Sequence, residues 1–250
     1  MISVIIPVFN ESCHLSATLA AIEQSESAHE IIVVDAGSSD GSIAVALEHG
    51  ARVISTAVKQ RASQMNRGAR SARGDVFLFL HADTRLPQNA LTKIEFVIAK
   101  RNVVGGGFAR RYDSPSWFLR GTCVLAGVRT RLSGWFLGDQ GIFVRRDVFE
   151  KLDGFRNFDL FEDLDFSRRM RCEGRVVTLH PPVISSARRF SLYGPCRTTW
   201  KDLLTTCRYL RGADQNQLAA EYHRTRESAQ GNMRLRFRQV AIHLPNDLRP

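Results

Sequence analysis

No stretch of this chain reaches the ~18 uncharged apolar residues that a membrane-spanning helix needs, so a helical span is not expected. The first residues lack a basic segment ahead of an apolar one. Met1-Ile2-Ser3-Val4 runs straight into a core-like strand, so no secretory signal is expected. Cysteine is sparse, with 5 in 250 residues. Cys13, Cys123, Cys172, Cys196 and Cys207 are an odd set without Cys-x-x-Cys spacing. That argues against a disulfide framework or a zinc knuckle and fits a reducing, cytoplasmic setting. Acidic residues are outnumbered, 25 against 35 Lys and Arg, for a net charge of +10. A basic balance favours anionic partners. No RNA- or DNA-binding signature accompanies the charge, which argues against a nucleic-acid module. Nor does a glycine-rich basic loop follow the first apolar run. Pro7-Val8-Phe9-Asn10-Glu11 stands there instead, against a sugar nucleotidyltransferase.

What is present is a hydrophobic content of 44%, enough for one substantial core. Apolar runs alternate with helical patterns. Strands are expected at Ile2 to Phe9, Glu30 to Asp35, Ala51 to Thr56 and Asp75 to Leu80. Helices are expected from Ser12, as N-cap, to Glu23, after the turn Gly37 to Gly41 up to about His49, at Ala62 to Ala72, and at Pro87 to Lys100 with Pro87 in its first turn. That rhythm predicts an α/β fold with a mostly parallel central sheet flanked by helices. Further on, strands are expected at Val103 to Arg111, Gln140 to Arg145 and Arg175 to Leu179. Helices are expected at Pro115 to Leu132, Leu160 to Cys172, Cys196 to Leu210 and Gln215 to Gln230.

Carboxylates close several of these runs. Asp35 ends one, His81-Ala82-Asp83 follows another, and Phe161-Glu162-Asp163 opens a helix. Parallel strands that end in acids gather those acids on one sheet edge, where open α/β folds bind ligands. Asp35 could contact a base or cap the next helix. Asp83 could hold a divalent metal or serve as a turn aspartate. Glu162-Asp163 could supply a general base or answer the helix dipole. Arg61 to Gly68 reads more simply as a capped surface helix than as a nucleotide contact. His180 is a candidate metal ligand or a structural histidine. Pro115 to Leu132 has apolar and basic faces, suited either to anionic headgroups or to covering a cleft.

Taken in order, Val4 to Glu11, Ile32 to Gly41, His81-Ala82-Asp83, Gly138-Asp139-Gln140-Gly141 and Phe161-Glu162-Asp163 resemble the motifs of family 2 glycosyltransferases with the GT-A fold. The resemblance covers roughly residues 1 to 190. The block Gln64-Met65-Asn66-Arg67-Gly68-Ala69 resembles a small bacterial subgroup linked to arsenosugar biosynthesis. The resemblance implies a GT-A domain over 1–190, with a nucleotide-binding half about 1–100 and an acceptor half about 101–190. A helical extension over 191–230 and a basic tail over 231–250, with the composition of a disordered end, would follow.

It implies an inverting, metal-dependent transfer of a sugar from a nucleotide donor to an acceptor hydroxyl. UDP-sugar is favoured over GDP-sugar, and Mg²⁺ or Mn²⁺ is the cofactor. The acceptor would be a small molecule or a lipid-linked one, with peripheral contact at the inner membrane face. Pro7, Phe9 and Glu11 would line the nucleoside pocket, with Asp35 on the base and Gln64 and Asn66 on the nucleotide. Asp83 would bind metal, joined by His180. Asp163 would be the base, supported by Glu162. Asp139 would sit near the donor sugar or acceptor, and Arg188 and Arg189 near the diphosphate. His81 stands where the family's first Asp of Asp-x-Asp is expected.

Overall fold

Every one of the seven residues of β1 (Ile2–Val8) is buried in the computed structural model, as a strand covered on both faces requires. The structure describes residues 1–222 and residue 224. Beside β1 run β2 (His29–Asp35) and β4 (Val76–Phe79), both parallel to it, and β3 (Arg52–Ser55) continues parallel outside β2. The sheet then changes sense. β7 (Ile142–Arg145) is antiparallel to β4 and to β6 (Val103–Tyr112). β8 (Arg175–Ser185) runs parallel to β6, and the two-residue β5 (Thr84–Arg85) is antiparallel to β8. The eight strands lie in the order β3-β2-β1-β4-β7-β6-β8-β5.

Alternation along β1 feeds two cores. Ile2, Val4, Ile6 and Val8 face α1 (Ser12–Glu23) and α4 (Ala90–Ile98), through Leu15, Leu19, Ile22, Leu91 and Ile94. Ile5 joins the opposite core with α3 (Arg61–Ser71) and the Phe77, Phe79, Phe149, Phe155 and Phe166 rings. Truncating one such buried aliphatic to Ala costs about 2–5 kcal/mol. Phe166 lies on α7 (Glu162–Glu173), its ring centroid 4.4 Å from that of Phe155 and 6.5 Å from that of Phe79. This packing fixes the start of α7 over the sheet. α2 (Ser42–Glu48), α5 (Trp117–Ser133) and α6 (Arg146–Lys151) complete the helices up to Arg188.

The chain divides into two compact units, the first Met1–Arg188 and the second from Arg189 onward. α8 (Arg188–Tyr193) begins at that boundary. The second unit holds α9 (Pro195–Leu210) and helical residues at 215–222. The helix expected through Gln230 and the basic tail over 231–250 otherwise lie outside the described residues. Among the described residues, no helix is long and apolar enough to cross a membrane.

Three local expectations are corrected, and two short elements were not foreseen. Ser12 is the first helical residue rather than the cap of α1, and its N–H donates to Asp40 Oδ2 at 3.0 Å, so a distant carboxylate does the capping. Pro87 precedes α4, whose cap is Asn89 in the left-handed region. β8 runs on past Leu179 to Ser185. Its prolines, which cannot donate to a ladder, fall where the pairing with β6 shifts register between Phe108 and Arg110. β5 and α6, at two and six residues, are too short for periodicity to reveal.

Candidate active site

β1, β2 and β4 are parallel, so their carboxyl ends share one edge, with Val8 level with Asp35. Asp35 is 1% exposed. Its Oδ2 accepts from the N–H groups of Gly37 and Ser38 at 2.9 and 3.0 Å, while its buried Oδ1 has no protein partner. A buried carboxylate oxygen left open is costly unless a ligand donor meets it. Asp35 therefore shapes the turn and leaves one buried oxygen open; it does not cap α2, whose cap is Gly41. Asn10 and the Ser38-Ser39 turn lock together through two hydrogen bonds of 2.8 Å. Pro7 is buried in β1, and Phe9 beyond it is half-buried, with Lys59 Nζ 3.4 Å from its ring centroid.

Gln64 and Asn66 take structural roles, which corrects their assignment to the nucleotide. Gln64 is 3% exposed and its amide donates to the carbonyls of Val8 and Val34 at 3.0 and 2.8 Å, stapling β1 to β2. The Asn66 side chain donates to Phe155 O and accepts from Phe155 N, clamping the loop that carries the Phe155 ring. The amide nitrogen of Gln64 and both polar atoms of the Asn66 side chain are consumed by backbone groups far away in sequence.

Asp83 follows β4, and its backbone carbonyl accepts from Ser186 N–H at the end of β8. The Arg188 guanidinium lies 3.6 Å from Asp83 and pairs with Glu11 Oε1, which bridges the two acids. Glu11 Oε2 is buried without a protein partner. No three His, Cys, Asp or Glu side chains of the described residues form a metal cage. Mg²⁺ and Mn²⁺ commonly take one or two protein carboxylates and complete their shell with substrate phosphates and water. Asp83 with the open oxygen of Glu11 fits that form of site. His180 does not join it. It is exposed within β8, and its carbonyl accepts from Lys93. The structure brings it into no metal-ligating group among the described residues, which corrects that expectation. Arg189 belongs to the second unit, where its guanidinium pairs with Asp202 and the Tyr222 hydroxyl.

Glu162 and Asp163 open α7 behind Phe161, itself in the left-handed region. Asp163 accepts from Gly138 N–H at 2.5 Å and from its neighbour Leu164 N–H at 2.6 Å. Gly138 begins a 3-10 turn, Gly138–Gln140, and a side chain there would overlap the His81 ring. One glycine thus joins the Asp163 carboxylate to the His81-Ala82-Asp83 segment. Burial pushes the Asp163 carboxyl upward, against its two backbone hydrogen bonds and Arg61. Burial, reinforced by Asp163, pushes Glu162 up to about 7, although Arg61 lies 3.9 Å away. Burial and Arg61 push His81 down to about 4, so it is neutral at pH 7. A carboxylate whose pKa is raised by a dry setting is, in its ionised form, a stronger proton acceptor than one in water.

Asp139 forms an ion pair with Arg110 at 2.5 Å and accepts from the Tyr112 hydroxyl at 3.2 Å. Burial would lower the Arg110 pKa, yet the adjoining Asp139 outweighs it and the guanidinium stays charged. Arg129 of α5 donates to Gln140, and burial and Arg110 depress its pKa. The Nε atoms of both Arg110 and Arg129 are buried without protein partners. Arg61, Arg110 and Arg129 belong to this candidate site; sequence reasoning set the Arg61 to Gly68 block aside as a surface helix and did not select the other two. A faint signal existed for Arg61, a cation at a helix start against the dipole. None existed for the meeting of Arg110 with Asp139.

Comparison with known proteins bears on the family and the fold. The model of glycosyl transferase family 2 matches residues 3–153. An undecaprenyl-phosphate 4-deoxy-4-formamido-L-arabinose transferase from Sodalis glossinidius (strain morsitans) is 32% identical over 157 residues, 58% of this chain and 48% of that protein. Its counterpart from Serratia proteamaculans (strain 568) is 33% identical over 157 residues, with the same shares. The chain therefore spans about half the length of the curated relatives it matches. Among solved structures, the mannosyltransferase PcManGT from Pyrobaculum calidifontis, in complex with GDP-Man and Mn2+, superposes with a TM-score of 0.65 at 19% identity, covering 88% of this chain and 68% of that one. S. aureus TarS 1-349 in complex with UDP-GlcNAc gives 0.62 at 14% identity, covering 74% and 58%. At such identities the likeness establishes the fold alone, the mixed α/β GT-A arrangement.

Proposed function

The chain belongs to glycosyl transferase family 2, and from that premise we propose that it moves a sugar, with inversion, from a nucleoside diphosphate donor to a lipid-linked acceptor. The observation that carries the reading is the Gly138 junction, where Asp163 lies beside the segment bearing Asp83. An acceptor hydroxyl gives its proton to Asp163 as its oxygen attacks the anomeric carbon. The bond from that carbon to the diphosphate oxygen breaks, and the electron pair leaves with the nucleoside diphosphate. Asp35 Oδ1 and the Phe9 wall receive the nucleoside, with a UDP-sugar favoured over a GDP-sugar. A Mg²⁺ or Mn²⁺ ion held by Asp83, and by Glu11 through Oε2, would offset charge on the departing diphosphate. Arg188, already between these acids, adds a charge that can follow the phosphates. A nucleotide-sugar donor fits reaction at the cytoplasmic face of the membrane.

The buried Arg110 and Arg129 favour a second form of the same reaction. Relatives are named for transfer to undecaprenyl phosphate. If the attacking oxygen belongs to a lipid phosphate, these guanidiniums bind it and no proton needs removing. Turnover of UDP-sugars by Asp163→Asn separates the two, because only the hydroxyl route needs the base. The arsenosugar-linked subgroup gains no support from the Gln64 to Ala69 block, whose polar side chains Gln64 and Asn66 hold backbone together. Donor hydrolysis by the wild-type chain, assayed over UDP-, GDP- and dTDP-sugars, tests the whole reading. No turnover and no binding of any donor would reject it.

A further inference from the structure

α5 is amphipathic in the wrong sense for water. Its inner side buries Leu119 and polar groups that are tied down. Thr130 is 1% exposed and bonds to Ala126 O and Trp135 O, and Arg129 reaches Gln140. Its outer side is apolar. Trp117 is 82% exposed, Leu125 71%, Val128 52% and Leu132 83%. Together with Val124, these positions recur at three-, four- and seven-residue steps, which places them on one stripe. A contiguous exposed apolar stripe marks an interaction surface. The 17 residues include no Asp or Glu and three Arg, of which Arg120 and Arg131 are exposed.

We infer that α5 lies flat in the interface of an anionic lipid bilayer, with Leu125, Val128 and Leu132 among the acyl chains, Trp117 at the headgroup boundary and Arg120 and Arg131 at the headgroups. Three observations choose this occupant. The helix is cationic without a single acid, which complements a negative surface and suits no neutral one better. An aromatic residue stands at one end of the stripe, where an amphipathic ring favours the headgroup boundary. The helix also continues directly into the catalytic loop. Gly134 N–H bonds Thr130 O at its end, and within six residues the chain reaches Asp139 and Gln140, the latter bonded back to Arg129. At 17 residues α5 is about 25 Å long, fit to lie in the interface rather than to span. Docking on α5 would hold the Arg110–Asp139 side of the site at the headgroup level, where a lipid-linked acceptor presents its polar end. This deepens the lipid-acceptor reading and rests on it for its purpose, but lipid docking is measurable without any acceptor.

The test is flotation of the full chain with vesicles of phosphatidylcholine alone and with 3:7 phosphatidylglycerol, at low and high salt. Wild type floats with the anionic vesicles and less so at high salt. The double variant Leu125→Ser, Leu132→Ser keeps its melting temperature and donor hydrolysis but loses vesicle affinity about tenfold or more. Arg120→Gln with Arg131→Gln loses the preference for anionic over neutral vesicles. Wild type that ignores anionic vesicles overturns the proposal. So does undiminished flotation of the Leu variant, which would move the role elsewhere, with the exposed Trp200, Leu203 and Leu204 of α9 next in line. So too does a wild-type dimer that the Leu variant splits while vesicle binding is absent, since the stripe would then cover a second copy. Donor hydrolysis without vesicle binding would sink the docking and leave the transferase reading intact.

Discussion

The main-chain nitrogen of Gly138 donates to Asp163 Oδ2 at 2.5 Å, across 25 residues of sequence. The contact ties the start of α7 to the turn before β7, and the same glycine abuts the His81 ring. The base proposed for Asp163 is useful only if its oxygen is held in place, and this hydrogen bond holds it.

Gly138→Ala should force the His81 ring aside. Overpacking of this kind costs about 1–3 kcal/mol, read as a lowered melting temperature together with reduced kcat. Adding His81→Ala should restore most of the stability by making room. A single variant that melts and turns over like wild type would show that the junction is slack.

Asp163→Asn should reduce transfer about 10²- to 10⁴-fold with donor KM little changed, the range for loss of a general base. Steady-state kinetics with the preferred donor checks this. A loss smaller than tenfold favours attack by a phosphate oxygen.

Glu162→Gln should stabilise the protein in a pH-dependent way. The folded carboxyl titrates near 7 against 4.5 in the unfolded chain, chiefly through burial. Charging it costs stability that accumulates as pH rises from 4.5 to 7 and then levels. The variant avoids this cost, so its advantage should grow across that window, to roughly 1–3 kcal/mol. Urea melts at pH 5, 6 and 7.5 measure it, and a constant difference would refute the burial argument.

His81→Asp should rebuild a second acid beside Asp83. Mn²⁺ affinity in the presence of a nucleoside diphosphate, followed by calorimetry, should rise. The reverse sign holds for stability against acid. The His81 pKa is lowered to about 4, so wild type loses stability as pH falls from 6.5 towards 4, and His81→Asn should not. Equal acid sensitivity in the two proteins would count against a buried neutral imidazole.

Gln64→Leu should remove the amide donor from the Val34 carbonyl and from the Val8 carbonyl, the latter keeping the Ala36 N–H. A loss of about 1–3 kcal/mol per orphaned group sets the scale. Chemical denaturation checks it, and a stability equal to wild type would remove the staple.

Much of the site was legible in advance because its placement is a local matter. Asp35 and Asp83 follow short apolar runs, and parallel neighbours align their ends whatever the loops do. Asp163 was legible through its motif and its position at a helix start. Gln64 and Asn66 were misread because a polar residue on a helix shows its type but not its partner, and theirs are backbone groups 30 to 89 residues away. Arg110 was missed for the same reason, since it sits in the ordinary strand β6 and acquires meaning from Asp139.

Residue order alone determined the alternation of strands and helices, the sheet edge that collects the acids, and the apolar stripe of α5. Those features repeat every two or 3.6 residues, so neighbours within a few positions suffice to specify them. Tertiary folding alone decided that Arg188 would bridge Glu11 and Asp83, that Arg61 would stand by Glu162, and that α5 would turn its apolar side outward. Charge pairing and burial depend on distance in space, and across 177 residues of chain only the completed packing sets that distance.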